Sequence, residues 1–368
     1  MRYTHLKNSD VDVSQLAVGT WAIGGDSFGE NDDAASMSAI RTMLDHGVNL
    51  IDTAPCYGNG ASEKVVGNAL RGVDRESYLL STKVGLITSA AGYDRDSSFK
   101  NIMREVESSL RNLRTDYIDF YFVHWPDAKT PFSETMCALQ LLKEQGKIRH
   151  IGVSNFTTEM IEECEKVAQV DVQQPPYSMV DRSSEDLIKW GYERGIDSFT
   201  YGSLGAGILS GKFRELPKFE EGDVRGGFYD YFQEPKFSRV QELLKVMDEI
   251  AEAHDKPVAQ VAVNWSTQKE YVGTALVGVR TDAHAIQNCE TFEWELSADE
   301  MAKWEKIIEV RTAVNGALET ARAEKKIGKS LEADVALTVP AEDAFLAEMD
   351  SAVLADLLIV SQVEVTVG

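Results

Sequence analysis

A carboxylate, a phenol, an ammonium and an imidazole stand at or just beyond the ends of three short apolar runs. Val48–Ile51 leads into Asp52, and Tyr57 follows across a turn that contains Pro55 and reaches Gly58. Tyr78–Lys83 ends in Lys83, and the run from Tyr117 ends in His124. Pro55 removes a backbone donor and Gly58 tolerates positive φ, so this turn is built to hold one shape. Together the four side chains could deliver a proton to an oxygen. A free tyrosine, with a pKa of about 10, is a poor acid near pH 7. A neighbouring ammonium favours the phenolate and lowers that pKa, and Lys83 can do this if Asp52 holds it. His124 can donate a hydrogen bond to the same oxygen. Singly, Asp52 could cap a turn, Tyr57 pack, Lys83 face solvent and His124 end a strand. Their succession at adjacent strand ends is what favours the chemical reading.

Such a set needs a frame that brings successive strand ends together. Strand-like and helix-like segments alternate eight times, with strands predicted at 16–22, 48–52, 78–83, 117–124, 148–153, 170–174, 196–201 and 272–278. Several are continuous apolar runs, as parallel strands buried on both faces should be. Between them lie amphipathic stretches such as Asp33–His46, Phe99–Asn112, Ser133–Gln145 and Thr157–Ala168. Ser133 and Thr157 are predicted N-caps, and Gly47 and Gly146 helix stops. Eight such units predict an α/β fold of the (β/α)8 TIM-barrel type, where strand C-terminal ends share one active face. The rival doubly wound sheet normally carries G-x-G-x-x-G after an early strand, and none occurs. Residues 2–14 are expected to form a hairpin closing the barrel bottom. The segment 213–236, rich in Gly, Pro and aromatics, reads as an active-site loop.

Asn49–Gly58, with Ala61–Ser62–Glu63, resembles a signature of the aldo-keto reductase family, and the resemblance extends over about 1–305. It implies that Asp52, Tyr57, Lys83 and His124 form a catalytic tetrad for carbonyl reduction. It implies a nicotinamide cofactor as well. Ser154, Asn155 and Gln174, at the ends of the fifth and sixth strands, can hydrogen-bond a carboxamide, and Tyr201 can stack on a flat ring. The Gly-rich run Tyr201–Lys212 suits a pyrophosphate. It is not a Walker A motif, because Ala206 and Phe213 replace the required Gly and Ser/Thr. The resemblance assigns Gly19, Thr20, Trp21, Ser203, Leu204, Gly207 and Lys212 to cofactor binding, with Leu204 where the family usually has proline. It likewise assigns Gly278, Arg280, Gln287 and Asn288 to the adenosine end. Arg280 suits a 2′-phosphate, which favours NADP over NAD.

The composition narrows the partners. Lys+Arg is 37 against 60 Asp+Glu, giving a net charge of −23 and a pI near 4.7. That argues against nucleic acid or an anionic membrane as the main partner. The cysteines Cys56, Cys137, Cys164 and Cys289 form no C-x-x-C pair, and no metal site is expected. Cys56 reads as a small buried filler. His5, His46, His150, His254 and His284 show no ligand spacing and read as structural or surface residues. No signal-peptide core and no membrane-span run is seen, so a cytoplasmic location is expected.

Beyond about residue 305 the character changes. Ser297–Glu300 resembles a capping box opening a helix to about Lys326, broken by Gly328. Leu331–Val339 and Leu357–Val365 read as strands around a helix at Ala341–Val353, a β-α-β tail. Trp304–Arg311, Ile327–Ala333 and Leu357–Val363 resemble the C-terminal anticodon-binding end of isoleucyl-tRNA synthetases. The catalytic motifs of that family are absent, so aminoacylation is excluded. From Arg311 to Gly368 there are five basic and ten acidic residues, a poor balance for tRNA. The expected division is therefore a barrel at 1–305 and a borrowed tail at 306–368. The expected function is NADP-dependent reduction of small aldehydes or ketones. The alternatives are a redox-sensing NADP-binding barrel without turnover, against which an intact tetrad argues, and a tRNA-associated protein resting on the tail alone.

Overall fold

Eight short parallel strands close into one ring. The computed structural model describes residues 1–89, 92–220, 222–327, 333–349, 351–358 and 360–368. Two strands, β1 (Tyr3–Leu6) and β2 (Val11–Ser14), pair antiparallel as the expected hairpin. The ring strands of the first half are β3 (Leu16–Gly19), β4 (Leu50–Asp52), β5 (Leu79–Val84) and β8 (Ile118–Val123). Between the last two, β6 (Leu86–Ser89) and β7 (Gly92–Arg95) form an excursion hairpin. The ring continues with β9 (Ile148–Ser154), β10 (Val172–Gln174), β11 (Asp197–Thr200) and β12 (Thr274–Gly278). Its closed order is β10-β11-β12-β3-β4-β5-β8-β9. All eight predicted strands are present. The first ends earlier than expected, at Gly19, because Trp21–Gly24 turns into a 3-10 helix.

The helices outside the ring are α1 (Asp33–Asp45), α2 (Ala61–Ala69), α3 (Phe99–Leu113), α4 (Phe132–Glu144), α5 (Thr158–Glu165) and α6 (Glu185–Glu193). They continue with α7 (Arg225–Phe228), α8 (Lys236–Ala253), α9 (Val258–Thr267) and α10 (Asp282–Cys289). Thr157 caps α5 as predicted, its side chain accepting from the Met160 N–H. Ser133 does not cap α4. The helix starts one residue earlier, behind Pro131, whose carbonyl accepts from the Glu134 and Thr135 N–H groups. The fixed φ of proline suits a helix entrance, which leaves Ser133 inside the first turn. Ring strands such as β8 are buried along their whole length, as two covered faces demand. Leu6 and Val13 of the hairpin pack with Phe120, Phe122 and Phe199 in one apolar cluster, so the hairpin closes the ring's N-terminal side.

The tail begins with α11 (Ala298–Ala323), opened by the expected capping box between Ser297 and Glu300. There follow β13 (Asp334–Val339), α12 (Phe345–Glu348), α13 (Ser351–Leu358) and β14 (Gln362–Val367). The two strands pair in parallel from Asp334↔Gln362 to Val339↔Val367, a β-α-β unit. Leu331, and Gly328 as helix breaker, lie outside the described residues. The expected helix at 341–353 is instead three pieces, a 3-10 turn at Ala341–Asp343, then α12 and α13. Leu357 belongs to α13 rather than to a strand. Burial decides this: Leu354 and Leu358 are fully covered in the helical register. Among the described residues, the tail's apolar side chains have no core to themselves. Leu346, Leu354, Leu358 and Val363 join one cluster with Phe237, Val240, Leu244 and Met247 of α8. Among the described residues no helix is long and apolar enough to cross a membrane.

Candidate active site

Asp52 ends β4 and Lys83 lies near the end of β5, on neighbouring strands with their side chains inside the ring. The Lys83 ammonium, 1 % exposed, donates to Asp52 Oδ2 at 2.6 Å and to the Thr53 carbonyl at 2.9 Å. Its third contact is the Tyr57 hydroxyl at 3.3 Å. The other Asp52 oxygen, Oδ1, accepts from Ser81 Oγ at 2.6 Å and from Gln174 Nε2 at 2.9 Å. Ser81 stands two residues before Lys83 on one strand, so both point the same way. A buried carboxylate is tolerated only with such partners.

Tyr57 is placed by a tight approach of two loops. A Cβ on Gly58 would fall 2.1 Å from the Gly24 carbonyl oxygen, and Gly58 has φ +60°. Only glycine fits there, which locks the turn carrying Tyr57 against the loop after β3. The Gly58 N–H donates to Asp26 at 3.0 Å across the same contact. Trp21 stacks beside Tyr57, with ring centroids 6.1 Å apart, and His124 meets it edge-on at 6.0 Å.

The phenol behaves differently from the sequence expectation. Burial, with the Asp52 carboxylate adding to it, pushes Tyr57 well above the usual tyrosine value. Asp52, in direct contact with Lys83, offsets the ammonium charge that was to pull the phenol down. Burial and the Lys83 charge hold His124 well below the usual histidine value, so the imidazole is neutral near pH 7. Cys56 Sγ lies 3.6 Å from His124 Nδ1. Burial pushes the Cys56 thiol up to about 12, so it carries its proton and can donate to Nδ1. With Nδ1 accepting from the thiol, the His124 proton would sit on Nε2.

These groups form the floor of a cleft of about 590 Å³ at the C-terminal ends of the strands. Its walls are largely aromatic, with Trp21, Tyr93, Trp125, Tyr201, Phe228 and Tyr229. Asn155 bridges strand ends, donating to the His124 carbonyl at 3.0 Å and accepting from Tyr201 Oη at 2.9 Å. Ser154 Oγ donates to the Gln174 carbonyl at 2.8 Å. Beyond β11, Leu204 (φ −98°, ψ 9°) and Gly205 (φ +53°) turn the chain tightly, and the Gly205 N–H donates to the Gly202 carbonyl at 2.7 Å. Ser203 Oγ beside it is buried and has no hydrogen-bond partner among the described residues. A buried orphan hydroxyl next to such a turn fits a phosphate oxygen. Arg280, half-buried after β12, donates to the carbonyls of Phe28 and Glu30 at 3.3 and 3.4 Å.

The sequence profile of the Aldo/keto reductase family matches residues 15–309. The chain belongs to the aldo/keto reductase family. The aldo-keto reductase YhdN of Bacillus subtilis (strain 168) is 37% identical over 313 residues, 84% of this chain and 94% of that protein. The NADH-specific methylglyoxal reductase of Escherichia coli (strain K12) is 32% identical over 314 residues, 81% of this chain and 95% of that protein. An aldo/keto reductase from Klebsiella pneumoniae, solved in complex with NADP and acetate, superposes with TM-score 0.65 at 27% identity. The superposition covers 83% of this chain and 95% of that one. This aldo/keto reductase is thus an oxidoreductase of carbonyl groups that uses a nicotinamide cofactor.

The fold brings most of the expected residues of this reductase to one place. Gly19, Thr20, Trp21, Asp52, Tyr57, His124, Ser154, Asn155, Gln174, Tyr201, Ser203, Leu204, Gly207, Gly278 and Arg280 line the cleft, with Lys83 beneath Asp52. Lys212, Gln287 and Asn288 are not among its lining residues. Lys212 is exposed over the Phe213 ring, and Asn288 reaches the Gly278 carbonyl at 3.3 Å. Sequence reading missed Ser81, Tyr93, Arg95, Trp125 and Arg225. Ser81 was readable from its spacing to Lys83. Tyr93 and Arg95 were not, since the β6–β7 excursion carries no barrel signal. His284, expected to be structural or at the surface, is exposed and lines the cleft.

Proposed function

We propose that this aldo/keto reductase converts aldehydes or ketones to alcohols at the expense of NADPH, with Tyr57 as the proton donor. The observation that carries the reading is the contact of Lys83 Nζ with both Tyr57 Oη, at 3.3 Å, and Asp52, at 2.6 Å, on the cleft floor. The nicotinamide, when bound, supplies the hydride. At rest the Tyr57 phenol keeps its proton near pH 7, so the proton is present to be given. As the carbonyl oxygen takes that proton, the charge left on Tyr57 Oη faces the Lys83 ammonium. That contact is worth more after transfer than before it, which is the condition for catalysis. His124, neutral and with its proton on Nε2, donates to the same oxygen and orients it.

Ser154, Asn155 and Gln174 would hold the carboxamide, and Tyr201 the ring face. Ser203, Leu204 and Gly207, with Gly19, Thr20 and Trp21, would hold the pyrophosphate and its neighbourhood. Gly278 and Arg280, with Gln287 and Asn288 nearby, would hold the adenosine end. Arg280 pairs with no carboxylate among the described residues, which leaves its charge for a 2′-phosphate. One relative is NADH-specific and one is solved with NADP, so Arg280 is the feature that favours NADP here. Four unpaired thiols suit the reducing cytoplasm in which we place the enzyme.

The test is turnover of NADPH against a panel of aldehydes and ketones, by the parent chain and by Tyr57→Phe. The variant should bind NADPH as before and lose carbonyl reduction by about 100-fold or more. Reduction by the variant at the parent rate would remove Tyr57 from the role.

A further inference from the structure

We infer that the carbonyl substrate carries a carboxylate and that Arg95, on the rim opposite Arg280, receives it. The inference rests on the proposed reduction at Tyr57 and adds the chemical class of the substrate. The chain as a whole is strongly acidic, with net charge −23, yet the cleft is not. Among its described lining residues are the arginines Arg95, Arg225 and Arg280, while the carboxylate is Asp52, already paired to Lys83. Arg225 is neutralised by Asp223 at 2.5 Å. Two cations are left for ligands. Arg280 follows β12 and Arg95 stands beside Trp125, just beyond β8. In the eight-strand order β12 and β8 are four places apart, on opposite sides of the ring. A cofactor phosphate at Arg280 therefore leaves Arg95 at the other end, beside Trp125, the residue after His124.

The hairpin explains why Arg95 is free. Along β7 alternate side chains point oppositely. Tyr93 and Arg95 face the cleft, and Asp94 faces away, where it takes Lys129 at 2.7 Å. The other acids of this corner are also engaged. Asp96 accepts from the Ser98 N–H at 3.0 Å, and Asp127 accepts from the Ser97 and Lys129 N–H groups and from Thr130 Oγ1. Across the mouth, Asp26 is held by the Gly58 N–H and by Ser27 Oγ. The Arg95 guanidinium has no ion-pair partner among the described residues. It rests 5.0 Å from the Trp125 ring centroid and donates to the Pro126 carbonyl at 3.3 Å. A planar fork anchored on one side presents its remaining N–H groups to a carboxylate.

The test uses para-formylbenzoate and its methyl ester, matched in shape and differing in charge, with the cofactor-loaded enzyme. The parent should favour the acid in kcat/KM by about tenfold, mostly through KM, since Arg95 is exposed and partly screened. The ratio should fall to about one in Arg95→Gln and be partly kept in Arg95→Lys. A parent ratio of one or less, or a ratio unchanged by Arg95→Gln, overturns the inference. Quenching of tryptophan fluorescence by para-toluate against para-toluamide reads the same subsite without turnover. If Arg95-dependent toluate binding persists but no aldehyde is reduced, the reductase reading fails and the anion subsite stands. If aldehydes are reduced but toluate binding ignores Arg95, the subsite fails and the reductase reading stands.

Discussion

All three protons of the Lys83 ammonium are engaged, by a carboxylate, a peptide carbonyl and the Tyr57 phenol. Its charge is fixed in place, and so is the position of the oxygen it supports. At Arg280 the energetics are those of a charge-assisted contact. Arg280→Ala should weaken NADPH by about 1.5 kcal/mol, roughly tenfold, and NADH much less. Titration of both nucleotides checks this, and equal losses would show that Arg280 does not read the 2′-phosphate. His124 gives a pH prediction. Its folded pKa lies below the unfolded value of about 6.5, so the unfolded chain binds more protons beneath that pH. The neutral imidazole therefore adds its full stability above about pH 6.5 and loses it as the pH falls toward the folded pKa. Melting temperatures at pH 7 and 5 should fall further for the parent than for His124→Gln. Identical falls would place the imidazole in open water.

At the scale of elements, the loops after β3 and β11 flank β12 and meet over its end. The Val224 N–H donates to the Ser27 carbonyl at 3.1 Å, and Trp21 meets Phe228 edge-on at 6.2 Å. Arg225 lies 5.5 Å from the Phe28 ring and 4.8 Å from that of Phe219. The pair of loops is tied over the strand that leads to Arg280. Arg225→Ala should loosen it by about 1 kcal/mol and speed cofactor release about fivefold, read by stopped-flow displacement. An unchanged release rate would mean that the tie does not bear on the cofactor. The 213–236 stretch was legible as an active-site loop from its Gly, Pro and aromatic content. Its partner was not, because Ser27–Phe28 carries no pattern that says what it meets. The eight ring strands were legible from apolar runs, whereas the end of β3 was not: Val18–Ile23 stays mostly apolar through the turn at Trp21. That Asp52, Tyr57, Lys83 and His124 would meet was legible because types and strand ends coincide. The state of Tyr57 was not, since burial and the Asp52–Lys83 contact decide it, and neither is a property of the local sequence.

For the whole molecule, we propose a functional division at about residue 305, with all the cleft chemistry before it and the 306–368 tail as an addition. The two parts share apolar packing nonetheless. Leu354 is fully buried in the cluster that includes Leu244 and Met247 of α8. Leu354→Ala should cost about 2–5 kcal/mol and lower the main melting transition. NADPH turnover should persist at temperatures where the variant is folded. A main transition that ignores Leu354 would mean that the tail melts separately. The ring order has a further use. Asp52, Lys83 and His124 come from β4, β5 and the end of β8, consecutive in the first half, while Ser154, Gln174, Ser203 and Arg280 come from β9 onward. The hydrogen bond from Gln174 to Asp52, at 2.9 Å, joins strands on opposite sides of the ring and so links the halves. The proposed acid and most of the proposed nucleotide grip thus lie in separate stretches of the chain. On the proposed roles, a crossover near the α4–β9 junction would exchange one nucleotide preference for another while inheriting the proposed proton relay intact, provided position 174 keeps its glutamine.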